Sequence, residues 1–308
     1  MISPLDELYS EAFALIDVRS PAEYAQGHVV GAVNIPLFTN DERADVGTRY
    51  VQKSREDAIQ RGLELVGPRL AGYVEQARGL ERPLIVYCWR GGMRSSSMSW
   101  LFATSGLVSH TVPRGYKGFR NAAAERLLLP WQLRVVAGPT GSGKTAFLKQ
   151  LAAGGEQVLD LEGLAEHKGS SFGGIGQQEQ PSTEQFFNRI HHAMRTFDIS
   201  RTVWVEDESR TIGRVHLPEH LYIAMGSAPR HTLETPLNQR LENLVREYGS
   251  LPHDQLIAAF ERIREKLGGD RTQRAVAAVE SGDISAAVEI ALDYYDRTYA
   301  FTAKKRQS

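Results

Sequence analysis

One glycine loop constrains this chain more than any other feature. Gly138-Pro-Thr-Gly-Ser-Gly-Lys144-Thr145 satisfies every fixed position of G-x-x-x-x-G-K-[ST]. An apolar strand, Leu133 to Ala137, is expected before it and a helix, Lys144 to Ala153, after it. The backbone N–H groups of Gly138, Thr140, Gly141, Ser142 and Gly143 can curl around phosphate oxygens. Lys144 neutralises the anion, the helix N-terminus adds a favourable dipole, and the Thr145 hydroxyl can ligate Mg2+. An acidic metal partner is expected at the end of a second strand. Asp160, at the end of the strand predicted over Gln157 to Leu161, and Asp207, in Trp204-Val-Glu-Asp-Glu208, are the candidates. Each reads equally well as a solvated strand end. The motif does not name its ligand. No base-reading N-K-x-D follows, so a pyrophosphate outside a nucleotide fits as well as a nucleotide does.

The loop sits near the middle of 308 residues, a length that suggests two domains, each able to bury a core. Residues 1–126 alternate short strands and helices, as in an α/β layered domain. Strands are expected at Ala14 to Val18 and Leu84 to Tyr87, an extended run at Ala32 to Ile35, and helices at Pro21 to Gln26, Ser54 to Glu75 and Met93 to Thr104. Residues 127–308 read as a parallel-sheet phosphate-loop domain with a helical C-terminal part. Strands are expected at Thr202 to Glu206 and Leu221 to Met225. A helix should open at the Ser182/Gln185 capping pattern, and others should cover Leu237 to Tyr248, His253 to Leu267, Arg271 to Glu280 and Ile284 to Tyr299. The Gly- and Ser-rich stretch from Lys168 to Gly176 shows no apolar period and reads as a flexible or ligand-ordered loop.

Composition excludes several classes. With 42% hydrophobic and 24% charged residues, wholesale disorder is ruled out. The net charge of -1 gives no bulk attraction for nucleic acid, so any polyanion site must be a local patch. A single cysteine cannot form an intrachain disulfide. The start lacks a secretory pattern, and no run approaches the roughly 18 to 20 apolar residues of a membrane span. A cytoplasmic protein without a membrane partner is expected.

That cysteine opens Cys88-Trp-Arg-Gly-Gly-Met-Arg94, between a buried strand and a helix. Loop N–H groups around Gly91 and Gly92, the helix N-terminus, and the guanidinium groups of Arg90 and Arg94 favour a thiolate and any anion on its sulfur. From Cys88 to Arg120 there is no Asp or Glu, while Arg90, Arg94, Arg114, Lys117 and Arg120 make a positive stripe. Adjacent His191 and His192 cannot chelate together on a helix and are expected at the surface. The arginines of the helical C-terminal third, Arg240 among them, read as a solvated face.

Leu15-Ile-Asp17-Val-Arg19-Ser-Pro-Ala-Glu23-Tyr, with Gly27-His28 and Gly31-Ala-Val-Asn-Ile-Pro36, resembles the N-terminal signature of rhodanese domains, whose cysteine loop aligns with Cys88. The resemblance implies a chalcogen-handling nucleophile at Cys88 and a mainly structural role for Asp17, Arg19, Glu23 and His28. The C-x5-R spacing is that of cysteine phosphatases of the same fold, which keeps a phosphatase as an alternative. Tyr87 and Met93, however, stand where those enzymes carry His and a late Ser or Thr.

A rhodanese-like domain followed by a phosphate loop resembles the bacterial tRNA 2-selenouridine synthase family. The likeness extends to Asp160-Leu-Glu-Gly-Leu-Ala, His167-Lys-Gly-Ser-Ser-Phe-Gly173, Val205-Glu-Asp-Glu-Ser-Arg210 and Tyr294-Tyr-Asp296. It departs at Lys168, where members usually have Arg. The resemblance implies exchange of sulfur for selenium at C2 of wobble 2-thiouridine in a tRNA anticodon arm. Selenophosphate is the implied selenium donor and geranyl diphosphate the alkylating co-substrate. Cys88 would then handle selenium and the Lys144 loop pyrophosphate with Mg2+, while His167, Lys168 and Ser170 would contact phosphate or RNA. A P-loop kinase or NTPase regulated by an anion-sensing module and a non-catalytic tRNA-binding adaptor are the alternatives.

Overall fold

A computed structural model describes residues 7–307, which divide into two compact units. The first runs to Leu128 and takes in Phe187–Arg195; the second comprises Leu129–Phe186 and the chain from Thr196 onward.

The first unit is built on four parallel strands in the spatial order Val33–Asn34, Ala14–Asp17, Leu84–Tyr87, Ser109–Thr111. Leu84–Tyr87 is buried at every position because helices cover both faces of the sheet. Its side chains alternate between two cores. Leu84 and Val86 join Ile16, Met98 and Phe102 on one side, while Ile85 and Tyr87 join Tyr116 and Phe119 on the other. Pro21–Gln26 opens with a full capping box between Ser20 and Glu23. The helices Arg55–Val66 and Leu70–Arg78 cover most of the range expected to be helical after Ser54. Asn40–Gln52 forms a further helix, capped by Thr39 and Glu42. His191, expected at the surface, is 1% exposed, with its ring edge-on to Phe119.

Asp17 and Arg19 form a fully buried ion pair. Arg19 Nη2 donates to Asp17 Oδ2 and to the Gly27 carbonyl, both at 2.6 Å, and the guanidinium lies 3.9 Å from the Tyr116 ring centroid. The pair thereby ties the end of the Ala14–Asp17 strand to the turn after the first helix.

The second unit also carries four parallel strands, in the order Arg230–Thr232, Gln132–Ala137, Thr202–Glu206, Gln157–Leu159. The last of these stops at Leu159 because Asp160 caps the helix Leu161–Ala165, its carboxylate accepting from Gly163 N at 2.7 Å. Leu221 to Met225, expected as a strand, lies inside the helix Glu219–Ser227. Leu221 and Met225, four residues apart, are buried while Ile223 is exposed, which is helical periodicity. The sheet position goes instead to Arg230–Thr232, an exposed edge strand with no apolar run to announce it. The C-terminal helices enclose their own core of Leu244, Tyr248, Phe260, Val279 and Leu292. Phe172 and Ile175 are buried in that core, so the Lys168 to Gly176 stretch is anchored rather than loose. Phe172 stacks on Tyr248 and meets Phe260 edge-on.

Removing one member of a buried ion pair strands the other. Arg19→Ala is expected to cost the first unit about 3–5 kcal/mol, read as a lower urea midpoint for its unfolding. A loss as small as that of an exposed substitution would show the pair to be dispensable.

Candidate functional site

Cys88 leaves the central strand of the first unit and enters the loop that opens the helix Met93–Thr104. The segment after Ser109–Thr111 backs this loop. Tyr116 N donates to the Cys88 carbonyl and Lys117 N to the Trp89 carbonyl, both at 2.9 Å. Gly115 makes the approach possible, since its φ is +55° and a Cβ there would collide with the Cys88 carbonyl oxygen. Cys88 itself is 3% exposed. Its Sγ lies 3.3 Å from Ser95 Oγ. Burial opposes ionisation of the thiol, but hydrogen bonds from the Ser95 hydroxyl and from loop N–H groups outweigh it, so the pKa falls below its ordinary value. Ser95, one residue beyond Arg94, supplies the hydroxyl that Met93 lacks.

The two loop arginines part company. Arg94 Nη1 donates to Glu23 Oε2 at 2.7 Å, fastening the helix after the cysteine loop to Pro21–Gln26. Burial would raise the Glu23 pKa, and the Arg94 contact brings it below its usual value instead. Arg90 is exposed and makes no ion pair among the described residues.

In the second unit the phosphate loop joins Gln132–Ala137 to Lys144–Ala153. Gly141 has φ +80°, and a Cβ on it would stand 2.8 Å from the Arg240 carbonyl. Lys144 Nζ donates to the Gly138 carbonyl at 3.1 Å. The Ser142 hydroxyl is buried and finds no partner among the described residues. Arg240, expected on a solvated face, is 6% exposed. Its Nε donates to the Thr140 carbonyl at 2.9 Å, while its other nitrogens hold Asp296 at 2.5 and 3.1 Å. Asn243 Nδ2 donates to the Gly141 carbonyl at 2.9 Å. The helix Leu237–Tyr248 thus braces the loop from behind.

A cavity of about 820 Å³ opens on this loop and is also lined by Lys168, Ser170, Asp207, Arg230 and Arg246. His167 is not in its wall; its ring is partly buried, and burial lowers its pKa. Lys168 pairs with Glu247 at 2.6 Å. The two predicted metal carboxylates are otherwise engaged, Asp207 with Arg230 at 2.8 Å and Asp160 as a helix cap. The acid beside Thr145 is Glu162, whose Oε2 accepts from Thr145 Oγ1 at 3.2 Å and whose carboxyl hydrogen-bonds Glu208. Burial, then the neighbouring Glu162 charge, pushes Glu208 up to about 8. Both residues stood in motifs visible in the sequence, yet only the fold brings their carboxyls together. Among the described residues no three His, Cys, Asp or Glu side chains gather closely enough to hold a metal by themselves, and no helix is long and apolar enough to cross a membrane.

A rhodanese-like unit carrying an ionisable thiol, followed by a phosphate-loop unit braced by C-terminal helices, is the class that fold and site define. Residues 4–122 match the rhodanese-like domain and residues 131–308 match the tRNA 2-selenouridine synthase AAA domain. Proteins named tRNA 2-selenouridine synthase align along most of the chain. The one from Marinobacter nauticus is 33% identical over 97% of this chain and 91% of its own length. The one from Nitrosomonas europaea is 34% identical over 88% and 81%, and the one from Cronobacter sakazakii 40% identical over 82% and 68%. The chain belongs to the tRNA 2-selenouridine synthase family.

Two titrations check the electrostatics. Cys88 is the only cysteine, so thiolate absorbance reports it alone; Ser95→Ala is expected to move the midpoint upward, and an unchanged midpoint would remove Ser95 from the site. Glu208 has a raised pKa, so its contribution to stability is complete below the ordinary glutamate value and is lost as pH rises toward about 8. Resistance of the second unit to denaturation should therefore weaken across that window in the native protein, and Glu208→Gln should flatten the slope.

Proposed function

We propose that this chain modifies the wobble uridine of tRNA, exchanging the sulfur of 2-thiouridine for selenium through an S-geranylated intermediate. The observation that carries this reading is the presence, in one member of this family, of an amide-cradled thiol and a lysine phosphate loop. In the first step the thiocarbonyl sulfur attacks C1 of geranyl diphosphate. The carbon–oxygen bond breaks, pyrophosphate leaves with the electron pair, and N3 of the base gives up its proton. Lys144 and the loop N–H groups bind the pyrophosphate as its charge develops. Lys168 and Ser170, on the same cavity wall, serve the phosphates of the donor or of the RNA. Mg2+, when bound, supplies further charge neutralisation. Thr145 with Glu162 and Glu208 provides oxygen donors of the kind it takes, and Asp207 is the next carboxylate along the wall.

In the second step the selenium of selenophosphate attacks C2 and expels the geranyl thiolate, and water then cleaves the phosphorus–selenium bond to release phosphate. S-alkylation prepares this exchange, because an alkyl thiolate leaves more readily than the sulfur of a thiocarbonyl. The low-pKa Cys88 with exposed Arg90 is the selenium-handling site. A tRNA substrate and one reduced thiol suit a cytoplasmic enzyme.

Incubation with thiolated tRNA, geranyl diphosphate and Mg2+, with and without selenophosphate, followed by nucleoside mass spectrometry, tests the reading. Cys88→Ala is expected to block selenium incorporation and spare geranylation, and Lys144→Ala to slow geranylation on the order of a hundredfold. No change in nucleoside mass with the native protein would overturn the proposal. Steady ATP or GTP turnover that Lys144→Ala abolishes would favour the kinase alternative.

A further inference from the structure

The first unit contains a cleft whose apolar side the two-step scheme does not use. A cleft of about 1100 Å³ runs from Cys88 and the Trp89–Met93 loop to the helices Asn40–Gln52 and Arg55–Val66. Asp45 fastens the two helices together, accepting from Arg49 and from Arg61, each at 2.8 Å. With these charges spent between the helices, much of the face toward the cleft is apolar. Tyr50, Val51, Leu63, Met93 and Trp100 all line the cleft, and each is more than half exposed. Large apolar side chains gathered around one opening mark a binding site rather than scattered surface. Arg43, Arg55 and Arg90 stand in the same lining. The cleft therefore suits an amphiphile with a water-shunning chain and an anionic end, and its inner wall holds Cys88.

We propose that this cleft seats the isoprenoid chain of the S-alkylated substrate, with the carbon–sulfur end of the chain directed toward Cys88 and the phosphates of the attached nucleic acid toward the arginines. The inference rests on the geranylation reading above and adds the place where the chain is held. The occupant follows from the position of the thiol. A protein surface laid over the cleft would cover Cys88, whereas a chain on the nucleoside sulfur that selenium displaces must lie beside the thiol that handles the selenium. The same chain chemistry comes from two sources, the free diphosphate donor and the alkylated nucleoside, and the experiment separates them.

The full-length protein is titrated by calorimetry with S-geranyl-2-thiouridine, with unmodified 2-thiouridine and with geranyl diphosphate. Val51→Lys and Leu63→Lys replace exposed side chains, so folding is expected to survive, which circular dichroism checks. The native protein should bind the geranylated nucleoside at least about tenfold tighter than 2-thiouridine, and both variants should erase that preference. No preference in the native protein, or a preference that both variants retain, overturns the inference. If geranyl diphosphate loses affinity in the same variants, the cleft serves the donor chain too. If it loses affinity only in Lys144→Ala, the cleft takes the chain after transfer; either result leaves the proposal standing. Sedimentation that shows a dimer dissolved by Val51→Lys, with nucleoside binding unchanged, assigns the face to a second copy and overturns it. These measurements need no turnover, so failure of the nucleoside mass assay in the native protein sinks the two-step reading separately. Geranylation that persists while chain binding ignores both variants sinks only the cleft.

Discussion

A buried parallel strand with neighbours on both sides underlies both reactive loops. Leu84–Tyr87 lies between Ala14–Asp17 and Ser109–Thr111, and Gln132–Ala137 lies between Arg230–Thr232 and Thr202–Glu206. A strand so placed cannot end by fraying. The chain leaving Tyr87 or Ala137 must turn at once and enter a helix, and the turn presents unpaired N–H groups to whatever occupies the strand ends. In the first unit those N–H groups stabilise a sulfur anion supplied by the chain itself. In the second they border the cavity that Lys144 also lines.

Burial acts at both sites, and the local donors decide its effect. At Cys88 it disfavours the thiolate, but the Ser95 hydroxyl and loop N–H groups reverse the balance. Around Thr145 burial meets carboxylates. Glu162, Glu206 and Glu208 are all shifted upward, and Lys144 only partly compensates Glu162 and Glu208. One site is therefore poised to give up a proton and the other to retain one. An incoming cation at Thr145 would compete with that retained proton for the same oxygens.

Much of this was legible in the sequence wherever a residue's role depends on its near neighbours. The strand Leu84–Tyr87, the helix Met93–Thr104 and the phosphate loop follow from apolar runs, glycines and a lysine only a few positions apart. What escaped depends on partners far along the chain. Arg240 looks solvated among interspersed acids until Thr140 and Asp296 converge on it. Phe172 looks like a stray aromatic in a glycine-rich loop until Tyr248 and Phe260 receive it. Arg94 looked like a second anion ligand, and only the fold brings Glu23 to it. Arg230–Thr232 was missed for a different reason: an exposed edge strand carries no apolar alternation to read.

The C-terminal helices follow from the same logic as more than an appendage. A glycine loop is compliant, and a compliant loop loses selectivity for the geometry of its anion. Here the carbonyls of Thr140 and Gly141 are held by Arg240 and Asn243, with Asp296 fixing the guanidinium from the other side. The same helix, Leu237–Tyr248, carries Tyr248 into the aromatic cluster that buries Phe172. Phe172 in turn anchors the stretch bearing Lys168 and Ser170 on the cavity wall. One helix thus sets the rear of the phosphate loop and, through a ring stack, the opposing wall. Preorganisation of this kind keeps the loop's N–H groups aimed at one anion geometry, and it accounts for the length of chain that this unit gives to helices packed behind the loop and along the cavity wall.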